Sequence, residues 1–256
     1  MAKAEADKGS RSIRALELLE AIVAADRPLD VADVATATGL PKATVYRLCA
    51  LLEREGFLTP DVASKGLGVG PRVQELALGV MSMSSSNSYR HQILSALSRE
   101  IGETCNFNVP AGSEILYLDR VETEWPLRTQ LPAGSRVPLH CTASGKLYLS
   151  SLPAAKRDRL IEALPLEAFT PNTITDAKEL VAEVERIRES RVGTDNEEFV
   201  TGMVAAAVPI EDAQGRLGAL LAFHAPVVRM DMDEALRHVP ALWRAANKLS
   251  ADLREP

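Results

Sequence analysis

The apolar residues of the N-terminal quarter recur with the spacing of three short α-helices. In residues 12–25 they fall three and four positions apart, which is the repeat of one buried helix face. A second helix follows Asp30, whose side chain can cap its start, and it ends at Gly39, because glycine adopts left-handed angles without strain. A third helix follows with Pro41 in its first turn, where a proline needs no N–H partner. The buried stripe of this third helix is formed by Val45, Leu48, Cys49 and Leu52.

The opposite face of the third helix carries small residues, hydroxyl groups and cations beside the helix N-terminus. These properties suit a helix that lies in the DNA major groove, and an ordinary pair of core helices fits the same residues. Residues 57–69 continue as two extended pieces around a polar turn at residues 61–66, and a hairpin in this position is typical of a winged helix-turn-helix domain. The candidate DNA-binding residues are Lys42, Ala43, Thr44, Tyr46, Arg47, Arg54 and, near the tip of the hairpin, Lys65.

A linker helix is predicted at residues 71–88, between two domains. Its apolar face consists of Val73, Leu76, Ala77 and Val80. A free-standing helix cannot bury such a face, so we expect it to pair with a helix of another chain. Helical spacing resumes in the segment that follows. The predicted organisation is therefore a DNA-binding domain at residues 1–70, the linker, and a second domain at residues 89–256.

The second domain combines short extended segments with amphipathic helices. Strands are predicted at residues 104–109, 114–121, 125–131, 203–210 and 218–223. Helices are predicted at residues 89–101, 142–152, 153–164, 177–191 and 231–254. The first three strands follow one another without a helix between them, which favours antiparallel pairing. The predicted fold class is α+β, with an antiparallel sheet flanked by helices.

Composition and charge narrow the class of protein. Apolar residues make up 46% of the chain and charged residues 25%, as in a soluble globular protein. No apolar run reaches the ~18 residues of a membrane span, so we expect no membrane contact. The net charge of −6 argues against indiscriminate coating of nucleic acid, whereas residues 41–72 hold five cations and three acids, which is a local basic footprint. Three scattered cysteines and the lack of an apolar leader favour the cytoplasm.

Residues 140–146, with the sequence HCTASGK, invite several chemical interpretations. A phosphate-binding loop would need glycine at position 140 and serine or threonine at 147, where His140 and Leu147 stand. A thiol enzyme could use Cys141, but a nucleophile and its base normally converge from separate segments. A Ser-x-x-Lys pair is missing because position 143 is alanine. A helix start remains, whose small residues let the sheet approach and whose N–H groups can hold a carboxylate.

Two polar features of the last third have ordinary structural interpretations. Asp195 opens an acidic run, DNEE, and such runs are commonly solvated or cap nearby backbone. His224 ends an apolar strand, where a histidine is commonly a hydrogen-bonded core residue. On these residues two further classes of function stay open: an enzyme that uses Cys141, His140 and Asp195, and a metal sensor that holds zinc with Cys141, Asp195 and His224.

Several segments are specific in both residue type and order. They are RPLDVADVATATGLPKATVYRLCALLEREGFL, VGPRVQELA, LYLDRVE, VPLHCTASGKLYLS, TPNTITD, DNEEFVTG and AVPI. Over nearly its whole length the chain resembles the IclR family of bacterial transcriptional regulators. The resemblance implies a winged helix-turn-helix domain, a linker helix for dimerisation, and a GAF-like C-terminal domain that binds a small organic acid. It also implies homodimers or homotetramers on inverted-repeat operators, and no cofactor.

The resemblance also designates the effector-binding residues. Carried over residue by residue, together with three positions at which the chain departs from the family, they are Thr129, Ala143, Ser144, Asp195, Ala205, Ala222 and His224. The departures are Ala205, where relatives often have cysteine, and Ala222 and His224, where they often have serine. These changes predict a roomier, less polar pocket and hence a bulkier carboxylate, such as an aromatic or branched acid, with His224 near its polar substituent. We also expect His224 to make affinity depend on pH near the ordinary imidazole pKa of about 6.5.

Overall fold

The computed structural model describes residues 11–25, 27–61, 66–83, 86–126 and 131–252. The chain divides into two compact units, Met1–Val80 and Met81–Pro256. Within the described residues, no helix combines the length and apolarity needed to cross a membrane.

The first unit has the order of elements that the sequence predicts. Its described elements are α1 (Arg11–Val23), α2 (Val31–Thr38), α3 (Lys42–Arg54), β1 (Leu58–Pro60), β2 (Leu67–Val69) and α4 (Pro71–Met83). The strands β1 and β2 pair antiparallel, with Leu58 opposite Val69, and form the predicted hairpin. Lys65, which was expected near its tip, lies outside the described residues.

Local interactions set the ends of the helix pair. The Asp30 carboxylate accepts hydrogen bonds from the backbone amides of Ala32 and Asp33 at 2.7 and 2.8 Å, which caps α2. Gly39 has a φ of 68°, the left-handed conformation that turns the chain toward α3. Pro41 lies immediately before α3, one position earlier than expected. The predicted stripe of α3 is buried, and it packs with Leu18, Ile22, Leu29, Val34 and Leu58.

The second unit is built around one antiparallel sheet. Its described strands are β3 (Thr104–Ala111), β4 (Glu114–Val121), β5 (Arg136–Pro138), β6 (Gly193–Asn196), β7 (Met203–Glu211) and β8 (Leu217–Pro226). Its described helices are α5 (Ser86–Ile101), α6 (Ala143–Ser151), α7 (Ala154–Ala163), α8 (Ala177–Ser190), α9 (Met232–Arg237) and α10 (Val239–Asp252). These strands lie in the order β5-β4-β3-β8-β7-β6. Helix α6 packs on β6, β7 and β8, and α8 packs on α6, while α5 and α10 contact each other and the sheet.

The strand prediction needs two corrections. The third strand does not lie at residues 125–131, because Trp125 and Pro126 form a bend and residues 127–130 lie outside the described part. The edge strand is instead β5, paired with β4. Strand β6 was not predicted, since its sequence GTDN lacks the apolar alternation by which strands are recognised.

Two predicted helices are also divided differently. The last helix breaks at His238 into α9 and α10, because Pro240 lacks the N–H that a continuous helix would require there. The predicted linker at residues 71–88 is occupied by α4, which is described as far as Met83, and α5 already begins at Ser86.

Candidate functional site

A cavity lies between the sheet and α6 in the second unit, and it encloses about 500 Å³ of empty space, its mouth included. Six of the seven residues predicted for the effector site line it: Ala143, Ser144, Asp195, Ala205, Ala222 and His224. The seventh, Thr129, lies outside the described residues. Side chains from separate segments of the chain therefore meet at one place.

The register of the sheet explains why three of these residues meet. His224 on β8 lies opposite Ala205 on β7, and Ala205 lies opposite Asp195 on β6. His224 and Asp195 are thus separated by two strand spacings, about 10 Å between Cα atoms. Since alanine has only a methyl group, the space between the imidazole and the carboxyl group is left open.

Two glycines hold the start of α6 close to its neighbours. A Cβ atom on Gly145 would lie 2.3 Å from the carbonyl oxygen of Leu139, and one on Gly193 would lie 2.1 Å from that of Ala143. Only glycine, which has no side chain, allows these backbones to lie so close. The small residues of the sequence predicted such a close approach at the start of α6. Thr142 caps the helix, and its hydroxyl oxygen accepts a hydrogen bond from the Gly145 amide at 3.1 Å.

The first turn of α6 offers hydrogen-bond donors to the cavity. The Gly145 amide bonds Thr142, and the Lys146 amide bonds the Thr142 carbonyl oxygen. The amides of Ala143 and Ser144 precede them and have no partner within the helix, because the first amides of an α-helix lack a preceding carbonyl. This end of the cavity therefore suits an anion.

Two asparagines of β3 line the cavity and were missed from the sequence. Asn108 donates through Nδ2 to the hydroxyl oxygen of Ser144 at 2.8 Å, and Asn106 Nδ2 lies 3.1 Å from His224 Nδ1. Arg120 donates through Nη1 to Asn106 Oδ1 at 3.2 Å. Asparagine at alternate positions of an otherwise apolar strand, as in CNFNV, was the available signal, because alternate residues share one face of a sheet.

Some polar atoms of the cavity wall have no partner in the protein. Among the described residues, Asn108 Oδ1 and His224 Nε2 are buried without a hydrogen bond. Leaving such a group unpaired costs about 1–3 kcal/mol, so a bound molecule that satisfies it is favoured.

The expectation for the charge of His224 is wrong. Burial, and secondly the neighbouring charge of Arg120, lower the pKa of His224 to about 3. The imidazole is therefore neutral throughout the physiological range, and His224 cannot produce the expected pH dependence near 6.5. The sequence did not reveal this because both causes arise only from the packed sheet.

The neighbouring acid is the group that titrates near neutrality. Burial raises the pKa of Asp195 to about 7, although the amides of Glu198 and Phe199 donate to its Oδ1 at 2.8 and 3.3 Å. Beside it, the buried Lys146 ammonium group lies 2.5 Å from Glu198 Oε1. Asp195 therefore both caps a turn and lines the cavity, and it is not a solvated surface acid.

The outward face of α3 is accessible in the first unit. Tyr46 is 68% exposed, and Lys42, Ala43, Arg47 and Arg54 are also exposed. Thr44, at the side of this face, is half-buried. Arg54 forms an exposed ion pair with Glu55 at 3.1 Å. The described candidate DNA-binding residues thus share one helix, from Lys42 at its N-terminus to Arg54 at its C-terminus.

Comparison with known proteins places both units in one family. Residues 13–62 match the family model described as the IclR helix-turn-helix domain, and residues 82–251 match the model described as bacterial transcriptional regulator IclR C-terminal. The chain belongs to the IclR family of bacterial transcriptional regulators.

Relatives of this IclR-family regulator match along nearly their whole length. It is 44% identical to the probable transcriptional regulator SauR of Cupriavidus necator over 238 residues. The match covers 93% of this chain and 94% of SauR. The crystal structure of Thermotoga maritima IclR matches with a TM-score of 0.64 and 27% identity over 95% and 98% of the two chains. The structure of an IclR homolog from Microbacterium hydrocarbonoxydans, complexed with 4-hydroxybenzoate, matches with a TM-score of 0.59. The match covers 95% of this chain and 99% of the homolog. At 21% identity, this last likeness shows the fold alone.

The enzyme class of function does not fit this IclR-family regulator. Its relatives are transcriptional regulators and not enzymes, and burial raises the pKa of the Cys141 thiol, which keeps the thiol protonated. His140 Nε2 lies 3.0 Å from the Glu167 carbonyl oxygen. In the described part of the chain, His, Cys, Asp and Glu side chains form no group of three placed to hold a metal ion.

Proposed function

We propose that this IclR-family regulator binds an inverted-repeat operator through α3 of paired chains, and that a small organic acid in the cavity of the second unit controls this binding. The proposal covers repression and activation alike. The observation that carries it is the cavity itself, where donors without a helix partner at the start of α6 face a largely apolar wall. The cytoplasm, where the chromosome lies, is the proposed site of action.

The donors support an acid as the effector. A carboxylate at the start of α6 would accept hydrogen bonds from the amides of Ala143 and Ser144 and from the Ser144 hydroxyl, whose oxygen already accepts from Asn108. Hydrogen bonds to an ionised oxygen are roughly twice as strong as neutral ones. The dipole of α6 adds to the attraction.

The apolar wall supports a bulky acid, either aromatic or branched. It is formed by Leu131, Val137, Phe199, Val200, Met203 and Val204, with Ala205 and Ala222 on the floor. A two-carbon acid would leave this wall without contacts, and unmade contacts contribute nothing to affinity. The acid bound by the Microbacterium homolog is of the aromatic class, and it gives a practical first probe.

Control of DNA binding follows from linkage between two sites. An acid that binds one conformation of the protein more tightly shifts the population toward that conformation. The difference in binding free energy between the two conformations then sets the change in operator affinity. The proposed homodimer or homotetramer would convert this shift into a change in the spacing of paired α3 helices.

The test is calorimetric titration with acids of increasing size, from acetate to branched acids and benzoates, followed by operator binding with and without the tightest acid. We expect affinity to rise with size and operator affinity to change. Ala222→Leu fills the cavity floor and should weaken the bulky acids at least tenfold, whereas Ala163→Leu, at an exposed position of α7, should not. Tightest binding by acetate, or equal binding by the Ala222→Leu variant, would refute the proposal.

A further inference from the structure

The polar atoms without partners lie toward two different ends of the cavity. Asn108 Oδ1 belongs to a side chain that bonds Ser144 at the start of α6, and His224 Nε2 belongs to a side chain that contacts Asn106. Asn106 and Asn108 are two residues apart on β3, about 7 Å along the strand. Asn108 Oδ1 is an acceptor, which a carboxylate cannot satisfy, so His224 Nε2 is the unsatisfied atom that an acid filling the cavity can pair.

The hydrogen on the His224 ring is fixed by a chain of contacts. The Arg120 guanidinium group can only donate, so the Asn106 atom that faces it at 3.2 Å is the oxygen. The other side of the same amide is then its NH₂ group, which faces His224 Nδ1 at 3.1 Å. Nδ1 must accept this hydrogen bond, and the ring hydrogen resides on Nε2. Arg120 and Asn106 thus make His224 Nε2–H a donor with a defined direction.

A donor at this end requires an acceptor on the ligand. We infer that the effector carries a second hydrogen-bond acceptor at the end remote from its carboxylate, which binds His224 Nε2–H while the carboxylate binds the start of α6. Arg120 and Asn106 are positioning residues for this contact. The inference rests on the proposed function and narrows its ligand from any bulky acid to one that is polar at both ends. A para-substituted benzoate with an oxygen substituent carries a carboxylate at one end and an acceptor at the other.

Matched benzoates test the inference. Para-formyl and para-methoxy benzoate carry an acceptor and no donor, para-methyl benzoate carries neither, and the ortho isomers place the same acceptor too close to the carboxylate. We expect calorimetry to give at least about tenfold tighter binding for the para acceptors than for the para-methyl analogue, because the methyl group leaves the buried N–H unpaired. The ortho acceptors should show no such advantage.

Variants show whether His224 is the cause. In His224→Phe the advantage of the acceptor should fall to within about twofold, with binding of the para-methyl compound retained. The control is His91→Phe, a histidine of α5 whose side chain is 54% exposed, which should keep the full preference. Asn106→Leu should reduce the preference without removing it, since the ring keeps its single N–H but loses the contact that places the hydrogen on Nε2.

A measurement without ligand tests the positioning step. Nitrogen-15 NMR of the labelled wild-type protein should show His224 as the neutral Nε2–H tautomer, and Arg120→Leu should populate the other tautomer. A wild-type ring with its hydrogen on Nδ1 would overturn the inference. Equal binding of acceptor and methyl compounds would overturn it while leaving the proposed function standing. If none of the acids bound, the proposed function would fail, and the NMR result would still decide the orientation of His224.

Discussion

At the scale of single residues, the protonation of Asp195 links the cavity to stability. Burial raises the pKa of Asp195 from 3.8 to about 7, so the folded protein holds a proton that the unfolded chain has released at the same pH. The stabilisation from this proton is complete below pH 3.8 and is lost as pH rises through 7. Lys146 and Glu198 are the charged groups beside it.

Asp195→Asn tests this linkage, because the amide keeps an oxygen that can accept from Glu198 and Phe199 but does not titrate. As pH rises from 5 to 7, we expect the unfolding free energy of the variant to increase by about 2–3 kcal/mol relative to that of the wild type. Above pH 7 the difference should change little. Urea unfolding of both proteins at a series of pH values measures the difference. A difference that stays constant with pH would show that Asp195 ionises normally.

Arg47 is an exposed cation on the outward face of α3. We expect Arg47→Ala to weaken operator binding by about 1–3 kcal/mol if the guanidinium group bonds a guanine edge. If it bonds only phosphate, all sequences should weaken alike and the slope of log K against log salt should flatten by about one. Fluorescence anisotropy distinguishes the two, with Arg159→Ala, an exposed arginine of α7, as the control. Unchanged operator binding by the Arg47→Ala variant would refute the assignment of the α3 face.

The residues that sequence reasoning reached and those it missed differ in kind. Ala143, Ser144 and Asp195 were reached because they stand in family motifs with a specific order. Asn106 and Asn108 were missed because their role depends on β8 and α6, which lie far away in sequence. The same limit explains the error for His224, whose neutral state depends first on its burial in the packed sheet and secondly on the charge of Arg120.

At the scale of elements, the cavity exists because α6 and β6 touch through their backbones. Gly193 allows this contact, since any side chain there would meet the Ala143 carbonyl group. The sequence predicted α6 as a helix of small residues but missed β6, because four mostly polar residues carry no strand periodicity. Amphipathic helices and apolar hairpins could thus be predicted from the sequence. Strand β6 could not, because only its pairing with β7 makes it a strand.

Gly193→Ala should therefore destabilise the second unit by about 1–3 kcal/mol or more, as overpacking does elsewhere. The control is Gly79→Ala on α4, where a Cβ atom would meet nothing within 4 Å. There alanine should instead stabilise the helix, by up to about 1 kcal/mol. Chemical denaturation gives both values, and equal effects at the two positions would contradict the close contact.

At the scale of the whole molecule, α4 is an element whose apolar face a single chain leaves exposed. Leu76 is 60% exposed and Ala77 is also exposed, whereas Val73 is half-buried. The side chain of Val80 lies outside the described set. An apolar face on an exposed helix supports the proposal that α4 pairs with another chain.

We expect the protein to sediment as a dimer or larger assembly at micromolar concentration. Leu76→Glu should shift it toward monomer, because charges would face each other across the paired helices. Gln74→Glu adds the same charge at an exposed polar position of α4 and should leave the assembly intact. A wild-type monomer that binds a palindromic site tightly would refute pairing through α4.

The alanines on the cavity floor have a consequence for how such proteins diversify. The strands that carry Ala205 and Ala222 are held by backbone hydrogen bonds, which do not depend on side-chain identity. A larger or more polar residue at either position would extend into the cavity that both alanines line. After gene duplication, a descendant could therefore acquire a new inducer through one or two codon changes while its fold and its operator stayed the same.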